Sequence, residues 1–445
     1  MTSEVVVMNS LAVALAADSA ATVSDGIDNK IYNSANKLFM LSKHHPVGVM
    51  VYNNASLLGI PWETILKMFR EKLADTEFET LEEYGLKLIE YLDKNTYLFP
   101  ESTQGKYYLQ LVETLFRGIF KEIRKELLRN IFENENGQEP KGAEIAKIEI
   151  LKVLEEWRNK PNAQCFENDI GAKLAGKFSG EISDLVTKVF DGLALGTEAA
   201  AALRDLAILV VAKDEILTES LSGLVIAGFG RAEFFPVMQI FELGEVFLDR
   251  LKYRQPKVEK IDSATTSVVR PFAQSEMVDT FLRGVNPLFE IRMIEEVVSL
   301  VVGLPDVVID AITDLTEEQR TLWKEKILPH SSGAMSTFVS NLEKHRIEKH
   351  LGPIRQAIIS LPIDELAHVA ASLVNLNSFQ KRMSFGPETV GGPIDVAVIS
   401  KGDGFIWIER KHYFRRELNH HFFRNYDNRT GHIDTKPEEG EPNGE

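Results

Sequence analysis

The sequence predicts an α+β protein in which strand-rich stretches are separated by helical ones. Three observations carry this reading. Residues 4–52 read as strand pairs. From about 76 to 204, apolar residues recur at helical spacing. Strand character then returns near 206–230 and again at 394–408. The order strands, helices, strands, helices, strands lacks the strict βαβ alternation of a parallel sheet, which points to a layered α+β domain with helical insertions.

The elements follow in order. Glu4 to Met8 is a β-branched run, Asn9-Ser10 is a turn signal, and Leu11 to Ala17 is a second apolar run, together a hairpin. Lys37 to Leu41 and Pro46 to Tyr52 form another pair across Ser42-Lys43-His44-His45. Ile65, Met68, Phe69 and Leu73 then recur at helical spacing, with Pro61 suited to a first turn. Tyr108, Leu111, Val112, Leu115, Phe116 and Ile119 make an apolar stripe that ends in the Pro140-containing stretch 134–142. Ile145, Ile148, Leu151 and Leu154 make a second stripe, and Ile182, Leu185, Val186 and Val189 a third. Leu206 to Val211 and Leu224 to Gly230 read as strands, and a helix is expected through Phe234, Val237, Ile240 and Phe241. Residues 245–350 read as mixed and mainly helical, with a solvated helix over Glu317 to Leu328. Leu366, Val369, Ala370, Leu373 and Val374 form the stripe of a late helix, and Ile394 to Ile399 with Gly404 to Ile408 a terminal hairpin. The tail from about Thr435 is rich in Glu, Pro and Gly and is expected to be disordered.

Composition narrows the function classes. Lys+Arg 50 against Asp+Glu 66 gives a net charge of −16, which argues against a general nucleic-acid surface. The single cysteine, Cys165, excludes an intramolecular disulfide and a Cys-rich zinc site. No stretch approaches the ~18 apolar residues of a membrane span. The apolar start lacks the basic region of a signal peptide, since the first basic residue is Lys30. A cytoplasmic protein is therefore expected.

Thr2 is the residue with the most chemistry to offer. Removal of Met1 would place a hydroxyl and a free α-amine on one residue, a nucleophile and its base in a single unit. An α-amine has an ordinary pKa of about 7.7–8.0 and is partly neutral at pH 7; a neighbouring cation lowers that value further.

Thr2 followed by Leu11 to Thr22 (Leu-Ala-Val-Ala-Leu-Ala-Ala-Asp-Ser-Ala-Ala-Thr) resembles the opening of proteasome β subunits and their bacterial relatives, members of the N-terminal-nucleophile hydrolases. Asn36-Lys37-Leu38-Phe39-Met40-Leu41 is similar to the family strand whose lysine lies beside the nucleophile. Leu224 to Gly230 and Leu366 to Ile399 resemble two later segments of the family. The resemblance implies a four-layer αββα sandwich of two antiparallel sheets between helices, with large helical insertions. It divides the chain into a first part of the core at 1–75, a helical insertion at 76–204, core strands and helix at 205–245, a second mainly helical insertion at 246–355, the end of the core at 356–416, and a C-terminal segment with an acidic tail at 417–445.

The resemblance also implies hydrolysis of amide or peptide bonds without cofactor or metal. Thr2 Oγ would be the nucleophile, its amine the general base, Lys37 the cation and Asp18 the carboxylate that holds Lys37. Backbone N–H groups near Asn53 and Asn54 would stabilise the oxyanion. A homo-oligomer is expected, with a peptide or amide substrate and neither membrane nor nucleic acid as partner. The chain departs from the family pattern at Tyr52-Asn53-Asn54, at Phe229 and at Pro387-Glu388-Thr389-Val390. These departures make a catalytically inactive, partner-binding relative the alternative.

Three other clusters offer weaker chemistry. His420-His421 with Glu417 suggests a metal site, but adjacent histidines do not share a helix face. Cys165 lies near a helix break with no histidine close in sequence. Trp407 to Arg429 mixes basic and aromatic residues in a way that suits single-stranded nucleic acid or, alternatively, a terminal segment docked on the domain.

Overall fold

The structure is a computed structural model. It describes residues 2–424 apart from 25–28, 134–141, 168, 255, 386–389, 413 and 422–423. The loop 387–389 and the tail beyond 424 therefore lie outside the described residues.

The chain opens with β1 (Ser3–Met8) and β2 (Ala12–Ala17), followed by a small hairpin, β3 (Ala21–Ser24) and β4 (Asn29–Tyr32). β5 (Leu38–Met40), β6 (Val47–Asn53), β7 (Ser56–Leu57) and β8 (Ile60–Pro61) come next. Six helices follow: α1 (Trp62–Leu73), α2 (Leu81–Lys94), α3 (Glu101–Glu133), α4 (Gly142–Asn159), α5 (Ile170–Val189) and α6 (Thr197–Ala212). The chain then returns to strands, β9 (Ser222–Gly228), β10 (Val237–Phe247), β11 (Arg250–Tyr253), β12 (Lys257–Lys260) and β13 (Val268–Ala273). Helices α7 (Glu276–Arg283), α8 (Pro287–Asp310), α9 (Glu317–Arg346), α10 (Gly352–Ile359) and α11 (Ile363–Met383) precede the last hairpin, β14 (Asp395–Ser400) and β15 (Gly404–Glu409).

Two antiparallel sheets result, ordered β13-β1-β2-β14-β15 and β11-β10-β9-β6-β5, with β12 also paired to β10. Their facing sides bury Val6, Met8, Leu15, Met50, Val225 and Ile399 in one apolar layer. The outer face of the first sheet buries Val5, Val7, Ala14 and Ala16 against α7 and α11. The outer face of the second buries Val49, Val51, Leu224 and Ile226 against α1 and α2. The expected αββα layering is thus present. Because β1 and β2 are covered on both sides, their sequences run continuously apolar instead of alternating. A separate apolar cluster holds α3, α4, α5 and α6 together.

Local signals explain the first turn. Asn9 Oδ1 accepts from the Leu11 N–H (2.9 Å) and the Ala12 N–H (3.3 Å), an Asx turn, while its amide donates to the carbonyls of Ile358 and Leu361. The hairpin is thereby tied to the end of α10.

Two elements differ from the sequence reading. Leu206 to Val211 is not a strand but the second half of α6. Ala199, Ala202, Leu203, Leu206, Ala207, Val210 and Val211 face the helical cluster at three- and four-residue intervals. A short, wholly apolar run has no periodicity of its own to separate a buried helix from a buried strand. Conversely, Val237, Ile240 and Phe241 lie in strand β10, not in a helix, and Phe234 precedes it, exposed. In β10, Val237 and Phe241 face α1 and α2 whereas Met238 and Ile240 face the other sheet. Burial on both faces places apolar residues at both parities and so mimics helical spacing. The stretch read as mixed also contributes β11, β12 and β13, the last lying beside β1.

Among the described residues, no helix is long and apolar enough to cross a membrane.

Candidate active site

The site sits where β1 begins. Alternation along the strand puts Thr2 and Glu4 on the same side as Val6 and Met8, the side that faces the second sheet. The Thr2 carbonyl accepts from the Gln274 N–H (2.9 Å) just beyond β13. Asn377 of α11 donates to Ser3 Oγ (2.7 Å) and to the Gln274 carbonyl (2.7 Å). The first residues of β1 are therefore held on both edges and from the helix layer.

Thr2, Asp18 and Lys37, separated by up to 35 positions in the chain, converge here, and all three are buried. Asp18 follows the last residue of β2 and is a hub of donors. Its Oδ1 accepts from Lys37 Nζ and from the Ser3 N–H (3.1 Å). Its Oδ2 accepts from the Gly391 N–H (2.9 Å) and, more weakly, the Ala20 N–H (3.4 Å). Lys37 enters from the start of β5, in the opposite sheet, so the Lys37–Asp18 pair bridges the two layers.

The fourth member, Glu4, was not singled out from the sequence. Thr2 Oγ1 donates to Glu4 Oε2 (3.1 Å), and Glu4 Oε1 lies 3.4 Å from Lys37 Nζ. Burial pushes the Glu4 carboxyl up to about 7, opposed by the charge of Lys37 and reinforced by that of Asp18. A signal for it does exist: a lone carboxylate two residues beyond Thr2, inside a β-branched run, must share the threonine's face of the strand. Gly391 was also missed, because it acts through its backbone amide and no side-chain pattern marks it.

The expected oxyanion donors fare differently. The Asn54 N–H donates to the Leu221 carbonyl (3.2 Å) and is consumed by the sheet. Asn53 has a left-handed backbone, φ 63°, a conformation asparagine tolerates better than most residues. Phe229, one of the departures from the family pattern, is buried between the sheets next to Ala227 and Met238, where it packs the core. Gly228 before it has φ 141°, and a Cβ there would lie 2.0 Å from the Pro46 carbonyl oxygen, so only glycine fits.

The weaker candidates gain no support. Among the described residues, no group of three His, Cys, Asp or Glu side chains could hold a metal ion. Cys165 is half-buried and burial pushes its thiol up, away from thiolate character. In the basic-aromatic segment, the Arg410 guanidinium stacks 4.6 Å from the Trp407 ring and Lys411 pairs with Asp395 of β14, so these groups are engaged within the fold.

No protein-family model matches the chain, and no curated protein does. Among solved structures, the chain is similar to Anbu (ancestral beta-subunit) from Yersinia bercovieri at 11% identity, with 99% of this chain and 100% of that one covered and a TM-score of 0.25. It is also similar to an Anbu (Gly-1) mutant from Hyphomicrobium sp. strain MC1 at 9% identity, with 98% and 100% covered and a TM-score of 0.27. At such scores the likeness carries no argument, and the functional reading rests on the geometry of the site.

Proposed function

We propose that the chain is a proteasome-like N-terminal-threonine hydrolase that cleaves amide or peptide bonds through an acyl-enzyme on Thr2. The observation that supports this most is the continuous buried path from the Thr2 hydroxyl to Glu4, and from Glu4 past Lys37 to Asp18. A carboxyl whose pKa is about 7 suits a proton acceptor at neutral pH. In the reaction, the Thr2 Oγ–H proton passes to Glu4 or to the α-amine freed by loss of Met1. Oγ attacks the carbonyl carbon, the C–N bond breaks, and the leaving amine carries the proton away. Water then hydrolyses the ester and restores the hydroxyl. Lys37 supplies positive charge beside the reacting groups and Asp18 fixes its position. On this reading the two sheets with their covering helices form the hydrolase core, and α3–α6 and α8–α9 are insertions into it.

A second reading, a catalytically silent subunit that binds partners, is favoured by the burial of Thr2, which is only 6% exposed, and by the use of the Asn54 N–H within the sheet. Intact mass and labelling separate the two. The hydrolase requires a chain without Met1 that reacts with a threonine-directed electrophile, and Thr2→Ala must abolish that labelling. A retained Met1 would leave the silent reading, and labelling that survives the substitution would place any chemistry elsewhere.

A further inference from the structure

We propose that the cleft between α1 and α2 binds a small organic acid, a carboxylate carried on an apolar body. The cleft has a volume of about 370 Å³, at the lower end of the range that small-molecule sites occupy. It lies on the side of the second sheet turned away from Thr2, because α1 and α2 cover the outer face of that sheet. It is therefore separate from the candidate active site.

Helical spacing builds it. Phe69, Lys72 and Leu73 share one face of α1, and Lys87, Glu90, Tyr91 and Lys94 share one face of α2. Each helix gives apolar side chains to the floor and charged ones to the mouth. Phe69, Leu73 and Tyr91 are buried, and the Phe69 and Tyr91 rings meet across the two helices with centroids 5.3 Å apart. Phe78, from the connection between the helices, adds a further apolar wall. A pocket of this size and depth suits one small molecule better than a flat membrane or protein surface.

Charge at the mouth selects the ligand. Three ammonium groups meet one carboxylate. Lys87 donates to Glu90 (2.7 Å), and Lys94 pairs with the same carboxylate. Lys72 has no carboxylate partner among the described residues, and its ammonium stands 5.1 Å from the centroid of the Tyr91 ring. Three lysines against one glutamate leave a surplus of two positive charges in the lining, on a chain whose net charge is −16. The acids of α2 beyond Glu90 serve other partners: Glu82 pairs with Lys260, Glu83 accepts from the Glu79 N–H (2.9 Å) and Asp93 from the Leu251 N–H (3.0 Å). Glu71, Asp75 and Glu77 lie outside the lining. The lysine stems are long enough to fold over the floor, but their heads repel one another. A carboxylate seated among them relieves that repulsion while its apolar body covers the aromatic floor.

The test is calorimetric titration of the full chain, at low ionic strength, with straight-chain alkanoates from hexanoate to dodecanoate. Affinity should rise about fourfold per added methylene and level off once the cleft is full. The alkanol of the same length as the tightest acid should bind at least about tenfold more weakly, since it offers the lysines no charge. Lys72→Glu should weaken the acid by more than about tenfold, and Lys87→Gln combined with Lys94→Gln should do the same. All three lysines are exposed, so the melting temperature should not change, and variants on two different helices guard against a local folding defect. No binding of any alkanoate, an alkanol as tight as its acid, or an affinity untouched by both variants would each overturn the proposal. So would tighter binding of a peptide ending in a free phenylalanine carboxylate, which would make the cleft a docking site for a protein.

Discussion

Glu4→Gln should raise the stability of the protein at pH 8 while lowering its activity, because the charge of Glu4 opposes folding and supports chemistry. The carboxyl is pushed from an ordinary 4.5 to about 7 by burial. At about 1.4 kcal/mol per unit, the folded state disfavours the ionised form by roughly 3 kcal/mol. The sign follows from which state ionises first. Below pH 4.5 the group is protonated in folded and unfolded chains alike, and its folded-state preference is fully present. Between 4.5 and 7 the unfolded chain gives up the proton while the folded chain keeps it, so stability falls as pH rises. Above 7 the loss is complete.

Glutamine has no proton to lose. Its oxygen still accepts from Thr2 Oγ1, and Lys37 keeps Asp18 as partner. Urea unfolding of wild type and variant from pH 4 to 8, followed by hydrogen exchange of the β1 amides, should give curves that converge at the acid end and separate by up to about 3 kcal/mol at pH 8. In the hydrolase assay the variant should lose on the order of 10²-fold in kcat together with the acid limb near pH 7. A variant less stable than wild type at pH 8 would show that the Lys37 charge outweighs burial, and would refute the reasoning for both the stability and the proton transfer.

Asp18→Ala should be among the most damaging single changes, by roughly 3–5 kcal/mol, because it removes the nearer of the two carboxylates that meet buried Lys37 and the acceptor of the Ser3 and Gly391 amides; the melting temperature and soluble yield report it. Leu206→Ala should cost roughly 2–5 kcal/mol as a cavity inside the α3–α6 cluster, read by chemical denaturation, whereas a residue in an exposed strand edge would cost little. Gly228→Ala should destabilise the β9–β6 junction by more than ~1 kcal/mol, since the added Cβ meets the Pro46 carbonyl and the backbone is left-handed; unchanged melting would contradict that geometry.

What could be read from the sequence followed from how many faces of each element are buried. β1, β2, β5, β6, β14 and α11 were legible because turn residues bound them, as Asn9-Ser10 bounds β1, or because one apolar stripe marks them, as Leu366 to Val374 marks α11. α6 and β10 were exchanged because Leu206 to Val211 is too short and uniformly apolar a run to show its period, and because β10 is buried on both faces, which hides a period of 2. Asp18 and Lys37 were singled out through resemblance to a family pattern of side chains, and they form a buried ion pair. Gly391 was not, since a backbone amide leaves no trace in sequence. The Asn54 donor failed because sheet pairing had a stronger claim on its N–H than the site did.

The position of Glu4 shows that the site is a consequence of strand register. β1 is locked between β13 and β2, with Ser3 opposite Ala273 on one side and Glu4 opposite Ala17 on the other. A slip of one residue would turn Thr2 and Glu4 toward α11 and bring Ser3 and Val5 to the inter-sheet side, so that Val5 would stand where the Glu4 carboxyl meets Lys37. The groups that prevent this slip are the same ones that build the site: the Ser3 N–H on Asp18, the Gln274 N–H on the Thr2 carbonyl, and Asn377 on Ser3 and Gln274. Asn377→Ala therefore acts on the site without touching Thr2. If register is the controlling variable, that substitution should speed hydrogen exchange at the start of β1 and diminish labelling of Thr2 together. Loss of one without the other would separate the strand from the chemistry.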